Sequence, residues 1–497
     1  MTTEVPVPDT MPGASRRGVV FHSDHDVLRA LVIAAGIGWS VAFVVVGLRY
    51  ELQMYADGSI YSYSVAVRDV WNFHWHNLSG RLFVYLFSLV PAETYVELTG
   101  DARGGIVVYG FLFFVAQILG LVATFAADRS KDRIIFSYAC FSTAFLCPLV
   151  FGSPTEMWMA HALFWPALAL CHYARGGIGG IALVFAALLA LVLTHEGGLI
   201  FAVAILSTVL LRGMRDAAFL RAAGAFLVVL SIWAAVKVTF PPDEYFASAL
   251  TRLALNFIDV TELAGGLFLL LLGVLAGYGI AFLVLWRLTP TKAHLYAASI
   301  VAVALAVYWL WFDHSLHTAN RYYLRTALLI ATPVLGALAA IYALGAAGRL
   351  KLPFPLPQRL MSAATSGVTA RAITGTIMLV MLVHAVETAK FVTAWTEYKA
   401  AVRALAMGAL SDPALGDPRF VSSDRIGSDL NRLSWSSTTQ FLSVLVAPEF
   451  VPKQLVVDPG AGYFWLFCKT ATANQAADRV VPQESRRLVR VHACLHR

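Results

Sequence analysis

The chain is 497 residues long, 59% hydrophobic and only 13% charged, with a mean hydropathy of +0.69. An ordinary soluble protein is about 25% charged, so this chain has too few charges to coat a soluble surface. Its 36 glycines, 20 prolines and 5 cysteines exclude disorder, a collagen-like fibre and a disulfide scaffold. The net charge of +7 does not point to nucleic acid, because the basic residues sit in short loops between apolar runs, where they set membrane topology.

Residues 1–27 read as a cytoplasmic N-terminal segment. Ser15-Arg16-Arg17 is similar to a twin-arginine export signal, but the apolar run behind it is too long for a signal core and feeds straight into further runs. A membrane-crossing helix needs about 20 mostly apolar residues. In chain order the candidates are Leu28–Leu48, Gly104–Ala126, Ile134–Phe151, Met157–Tyr173, Ile178–Leu193, Gly198–Leu211, Phe219–Phe240, Gly266–Trp286, Leu295–Phe312, Leu328–Leu344 and Ile373–Val392. Only Thr194-His195-Glu196-Gly197 divides the fifth from the sixth, so residues 178–211 read as two spans or as a re-entrant pair; two spans keep the later topology consistent. Arg81–Pro91 is too short to cross and reads as an interfacial helix. The expectation is an all-α polytopic membrane protein with about 11 transmembrane helices over residues 28–394.

Lysine and arginine bias sets orientation. With the N-terminus inside, the inner loops hold Arg129, Lys131 and Arg133, then Arg212, Arg215 and Arg221, then Arg349, Lys351, Arg359 and Arg371. The outer connections are poorer in these residues. An odd number of spans places residues 395–497 outside. Asp-Pro turns at Asp412, Asp417 and Asp458, and strand-like runs such as Gly462–Phe467, make this tail a small C-terminal α/β extracytoplasmic domain. Trp435 and Trp465 in it suit core packing or stacking on sugar rings. Cys468 and Cys494 are candidates for a disulfide outside the cytoplasm, while Cys140, Cys147 and Cys171 fall in spans.

The outer connections collect unusual polar groups. The first outer loop, 49–103, carries Glu51, Asp57, Arg68, Asp69, His74, His76 and Arg81. The next turns bring Glu156, then His195-Glu196; a later loop brings His314, His317, Arg321 and Arg325. Carboxylates and imidazoles at span ends are expensive if they face lipid, so five connections presenting them at one level imply a shared aqueous cleft. Lys237, one turn before the outer end of its span, either faces that cleft or reaches outward to the interface. At mid-span, Gln117 and His161 are the modest polar exceptions.

Asp57 stands early in the first outer loop, in Tyr55-Ala56-Asp57-Gly58, ahead of the amphipathic stretch Val67–Trp71. A first span, a long outer loop with an early acidic residue and interfacial helices, many further spans and a distal outer domain together resemble the GT-C superfamily of integral-membrane glycosyltransferases. The resemblance implies a polyprenyl-phosphate-linked sugar donor, transfer on the outer face of a bacterial-type inner membrane with inversion, and a glycan or lipid acceptor. It also implies that Asp57 is the catalytic base, able to take the acceptor hydroxyl's proton. In that family the acidic residue is often paired; here Glu51 and Asp69 are the nearest carboxylates.

The lipid phosphate leaving group calls for cations near the membrane surface. Arg321 and Arg325, four apart on one helix face, match phosphate oxygens, with His314, His317 and Arg81 assisting. Glu156, His195 and Glu196 serve either to orient acceptor or sugar hydroxyls or, Glu196 together with Asp57, to hold Mg²⁺ or Mn²⁺. Two other classes compete. A transporter or flippase of a lipid-linked or ionic substrate places broken, polar segments at mid-membrane in paired halves; a non-catalytic envelope assembly factor does not depend on Asp57.

Overall fold

The computed structural model describes residues 23–71, 81–130, 132–146, 155–239, 263–289, 292–307, 319–348, 350, 352, 366–408, 420–431, 433–434 and 438–457. The described chain is mostly helical. Every apolar run read from the sequence overlaps a helix: α1 Asp24–Arg49, α4 Ala102–Ala127, α5 Ile134–Phe145, α6 Glu156–Tyr173, α7 Ile178–Val192, α8 Gly197–Leu210, α9 Ala217–Thr239, α10 Leu263–Leu288, α11 Ala293–Val307, α12 Ala319–Ala346 and α13 Gly367–Ala406, with residues 147–151 and 308–312 of two runs outside the described residues. Two more lie in the first long connection, α2 Asp57–Ala66 and α3 Leu82–Thr99. Among the described residues, six helices are long and apolar enough to cross a membrane: α1, α3, α4, α9, α13 and the Leu329–Ala346 part of α12. The chain is thus a multi-pass, helical membrane-type protein.

Helix α6 is the centre of the packing. It contacts α4, α5, α7, α8, α9 and α12, and its side chains from Glu156 to Pro166 are buried with few exceptions, as expected of a helix surrounded by others. Pro166 has no N–H to give to the carbonyl of Ala162. That carbonyl instead meets α4 at Gly120, where any Cβ would collide with it. Deeper in the bundle, α4, α5 and α6 are joined by a closed polar network. Gln117 Nε2 donates to Thr143 Oγ1 at 2.7 Å, His161 Nδ1 lies 3.2 Å from Gln117 Oε1, and His161 Nε2 lies 2.7 Å from Ser142 Oγ. The Gln117 and His161 exceptions are therefore each other's partners, which removes the cost of burying them.

Helices α7 and α8 form an antiparallel hairpin with its tip at Thr194-His195-Glu196. Its foot is tied to the far end of α6, where Arg212 donates to the His172 carbonyl at 2.9 Å. The hairpin therefore runs alongside α6 in both directions, with helices of 15 and 14 residues, shorter than those long enough to cross a membrane. The same far end holds the N-terminus of α1 against that of α13, through Arg371 and Asp24 at 3.2 Å.

The run Arg81–Pro91, expected to be too short to cross, belongs to a longer helix, Leu82–Thr99, which is long and apolar enough to cross a membrane. It continues to Thr99 through a π-helical turn at Tyr85–Leu89. Pro91 follows that turn, and the wider π pitch accommodates the hydrogen bond that proline cannot make. Helix α13 likewise does not stop near residue 394. Trp395 and Tyr398 stay buried in the same helix, which runs on to Ala406. Beyond it, β1 Phe420–Ser422 pairs in parallel with β2 Leu455–Val457, with the short helices α14 Ser428–Asn431 and α15 Thr439–Leu445 between them. This small α/β unit docks on α2: Tyr63 packs edge-on against Phe441 at 5.4 Å, and Ser59 Oγ donates to the Thr438 carbonyl at 3.1 Å. Cys140 and Cys171 are buried free thiols. Cys147, Cys468, Cys494, Trp435, Trp465, His74 and His76 lie outside the described residues.

Candidate functional site

The site lies at the bundle end shared by the C-terminus of α1 and the N-termini of α2, α6 and α8. Three carboxylates stand at those three helix starts: Asp57 opens α2, Glu156 opens α6 and Glu196 caps α8. A helix N-terminus favours negative charge, so each acid is stabilised where the sequence puts it. The approach to α2 is strained. Ala56 has φ 49° and ψ −130°, a region open to glycine but costly for a residue with a Cβ. That turn swings Asp57 out of line with α1 and onto the edge of a cleft.

The wall of the cleft is formed by Leu52, Gln53, Tyr55, Ala56, Asp57 and Gly58 of the first loop, Tyr61 of α2, Tyr109 and Phe113 of α4, and Thr155 and Glu156 at the start of α6. Asp57 and Glu156 thus face one space. Beneath it runs a chain of charges. Arg81 Nη1 lies 2.9 Å from Glu156 Oε1, Arg81 Nη2 lies 3.6 Å from Glu196 Oε2, and Lys237 Nζ donates to Glu196 Oε1 at 3.2 Å. Tyr61 donates its hydroxyl to Glu156 Oε1 at 2.9 Å. His195 Nδ1 accepts the Gly197 N–H at 3.0 Å and stands 3.8 Å from Glu196.

Arg81 and Glu156 are both nearly sealed from solvent, with side chains 10% and 6% exposed. Burial works against the Arg81 charge, but Glu156 and Glu196 outweigh it and raise the guanidinium further above its ordinary range. Burial, reinforced by Glu156, pushes the Tyr61 hydroxyl up, so it stays a donor. For Glu196, burial alone would raise the carboxyl; Arg81, then His195 and Lys237, oppose it and bring it down to about 2. A carboxyl lower in the folded state than in the unfolded chain stabilises the fold at pH values above the unfolded pKa, about 4.3. That contribution is lost as pH falls from there towards 2. The melting temperature of the purified protein is therefore expected to drop between pH 5 and pH 3, and Glu196→Gln should flatten that part of the curve. An equally steep decline in Glu196→Gln would remove Glu196 as its source.

Of the residues read from the sequence, Asp57, Arg81, Glu156, His195 and Glu196 come together here. Arg81 is committed to two carboxylates. Arg321 and Arg325 lie four apart in the first two turns of α12, while His314 and His317 lie outside the described residues. Among the described residues, no three His, Cys, Asp or Glu side chains converge to hold a metal ion. Lys237 resolves towards the cleft: it reaches Glu196 and sits 5.9 Å from the Trp233 ring centre.

Sequence reasoning passed over Gln53, Tyr61 and Tyr109. All three are uncharged and flanked by apolar residues, so they read as packing; the one available signal was a run of tyrosines beside Asp57. Compared with known proteins, the chain matches no protein-family profile, no curated protein and no solved structure.

Proposed function

We propose that this chain is a GT-C type, inverting membrane glycosyltransferase. It moves a sugar from a polyprenyl-phosphate-linked donor to a cell-envelope glycan or lipid acceptor. The observation that carries the reading is the cleft itself: an aromatic-walled space at one end of an apolar bundle, lined by Asp57 and Glu156, with Arg81 paired to Glu156.

In this reading Asp57 takes the proton of the attacking hydroxyl as the glycosidic bond forms, and the lipid phosphate leaves with the electrons of the donor bond. Asp57 is suited to the role because it is half-buried and lies on the cleft rim. Glu156 is held by Arg81 and Tyr61, which suits it to orient a hydroxyl. Arg321 and Arg325 meet the donor phosphate, with His314 and His317. Mg²⁺ or Mn²⁺ at Asp57 and Glu196 is the alternative use of those carboxylates; Arg81 and Lys237 already neutralise Glu196, which favours the metal-free form.

The protein then sits in a bacterial-type cytoplasmic membrane with eleven spans, α3 lying along the outer surface without crossing. The N-terminus is inside, and the cleft and the C-terminal unit are outside. Thr99 and Arg129 are both solvent-exposed, near opposite ends of α4. In a cysteine-free background, Thr99→Cys is expected to react with a membrane-impermeant maleimide in intact cells. Arg129→Cys should react only after permeabilisation. The reverse pattern would put the cleft in the cytoplasm and end the outer-face reading.

A further inference from the structure

We propose that the end of the bundle opposite the cleft binds an anionic phospholipid. Arg221 and Arg215 meet its phosphate, and an acyl chain lies along α9. This site does not depend on the transferase reading.

Arg221 stands in the second turn of α9. It is half-buried and its Nε is sealed from solvent, yet among the described residues that nitrogen has no hydrogen-bond partner. An arginine that merely reached out to water would keep its charged head wet. A guanidinium partly withdrawn from water calls for an anion. The nearby acid does not supply one. Asp216 is the one carboxylate in residues 211–221, and it is already engaged. Arg212 Nε lies 3.3 Å from its Oδ2, and its Oδ1 accepts the Ala218 N–H at 2.7 Å. Arg221 is close enough to Cys171 of α6 to act on it electrostatically. That places it at the same end of the bundle as the Arg212–His172 contact.

The surroundings are basic and apolar together. Residues 172–180 and 211–221 hold Arg175, Arg212, Arg215 and Arg221 against Asp216 alone. Arg175 and Arg215 are exposed, and the helices that begin just after them, α7 and α9, pack against each other. Beside these arginines, Ile178, Met214 and Leu220 are 88%, 73% and 60% exposed. Large bare apolar side chains among arginines suit the boundary between headgroups and acyl chains, and not a soluble anion. Further along α9 the surface stays open. A Cβ at Gly224 would meet nothing within 4 Å, and Leu227 and Val228 are exposed beyond it. Arg221, Gly224 and Val228 fall on one helix face. That face presents a charge, then a gap, then an apolar wall, the order of phosphate, glycerol and acyl chain in a phospholipid. Arginine forks match phosphate oxygens, and phosphatidylglycerol supplies the net negative charge that phosphatidylcholine lacks.

The test uses full-length protein purified in detergent and stripped of lipid. Native mass spectrometry follows the binding of phosphatidylglycerol and of phosphatidylcholine with the same acyl chains. Wild type should bind phosphatidylglycerol about tenfold more tightly. Arg221→Gln and Arg215→Gln should each lower that preference about fivefold, the scale of one basic residue at a membrane surface. Arg215 is exposed, so its replacement reads the site without a folding cost. Arg287→Gln removes an exposed arginine from the last turn of α10 and should leave the preference as it is. Equal binding of the two lipids, a preference unmoved in either site variant, or one lost equally in Arg287→Gln overturns the proposal. So does full displacement of the lipid by millimolar inorganic phosphate, which would make the ligand a soluble anion.

Discussion

Asp57→Asn is expected to lower sugar transfer by about two to four orders of magnitude, the range that loss of a general base commonly costs. The change keeps the shape of the side chain and removes its ability to take a proton. Asp57 is half-buried at the first turn of α2, so the melting temperature should move little. The expected signature is a fall in kcat with acceptor KM nearly unchanged, because the amide still fits the cleft. Measuring transfer and melting temperature on the same preparation separates chemistry from folding. Near-normal transfer by Asp57→Asn would remove this residue as the base.

The second large effect is on stability. Arg81→Met is expected to cost roughly 3–5 kcal/mol, the usual result of stranding a buried charge by deleting its partner. Here one guanidinium serves two carboxylates, Glu156 and Glu196, on two different helices. Lys237 still compensates Glu196, whereas Glu156 would lose its guanidinium partner and retain the Tyr61 hydroxyl. The double variant Arg81→Met with Glu156→Gln should therefore recover part of the loss. Arg81→Lys should not, since a point ammonium lacks the fork that reaches both acids. Thermal or denaturant melts of the purified protein check all three. A single variant as stable as wild type would mean that the ion cluster carries little of the fold.

The bundle was legible because twenty-odd apolar residues between short basic loops leave few alternatives to a membrane helix. Its less regular parts were not. The extension of α3 to Thr99 depends on a π turn ahead of Pro91, and apolar counting treats proline as an end. The run of α13 to Ala406 was hidden because its last turns bury Trp395 and Tyr398 against Tyr55 and the C-terminal unit instead of facing lipid. In the site, Asp57, Arg81, Glu156 and Glu196 could be grouped by counting loops, since each lies at a helix start on the same end of the bundle. Pairing could not be read that way. Arg81 resembles a phosphate ligand in isolation, and only three-dimensional packing shows it enclosed by Glu156 and Glu196.

Native mass spectrometry of the protein extracted with its bound lipid tests the transferase account most directly. The account predicts a co-purifying species with the mass of a polyprenyl phosphate carrying one sugar, and its loss when Arg321 and Arg325 are replaced by alanine. Recovery of bulk phospholipid alone, from wild type and variant alike, would contradict it.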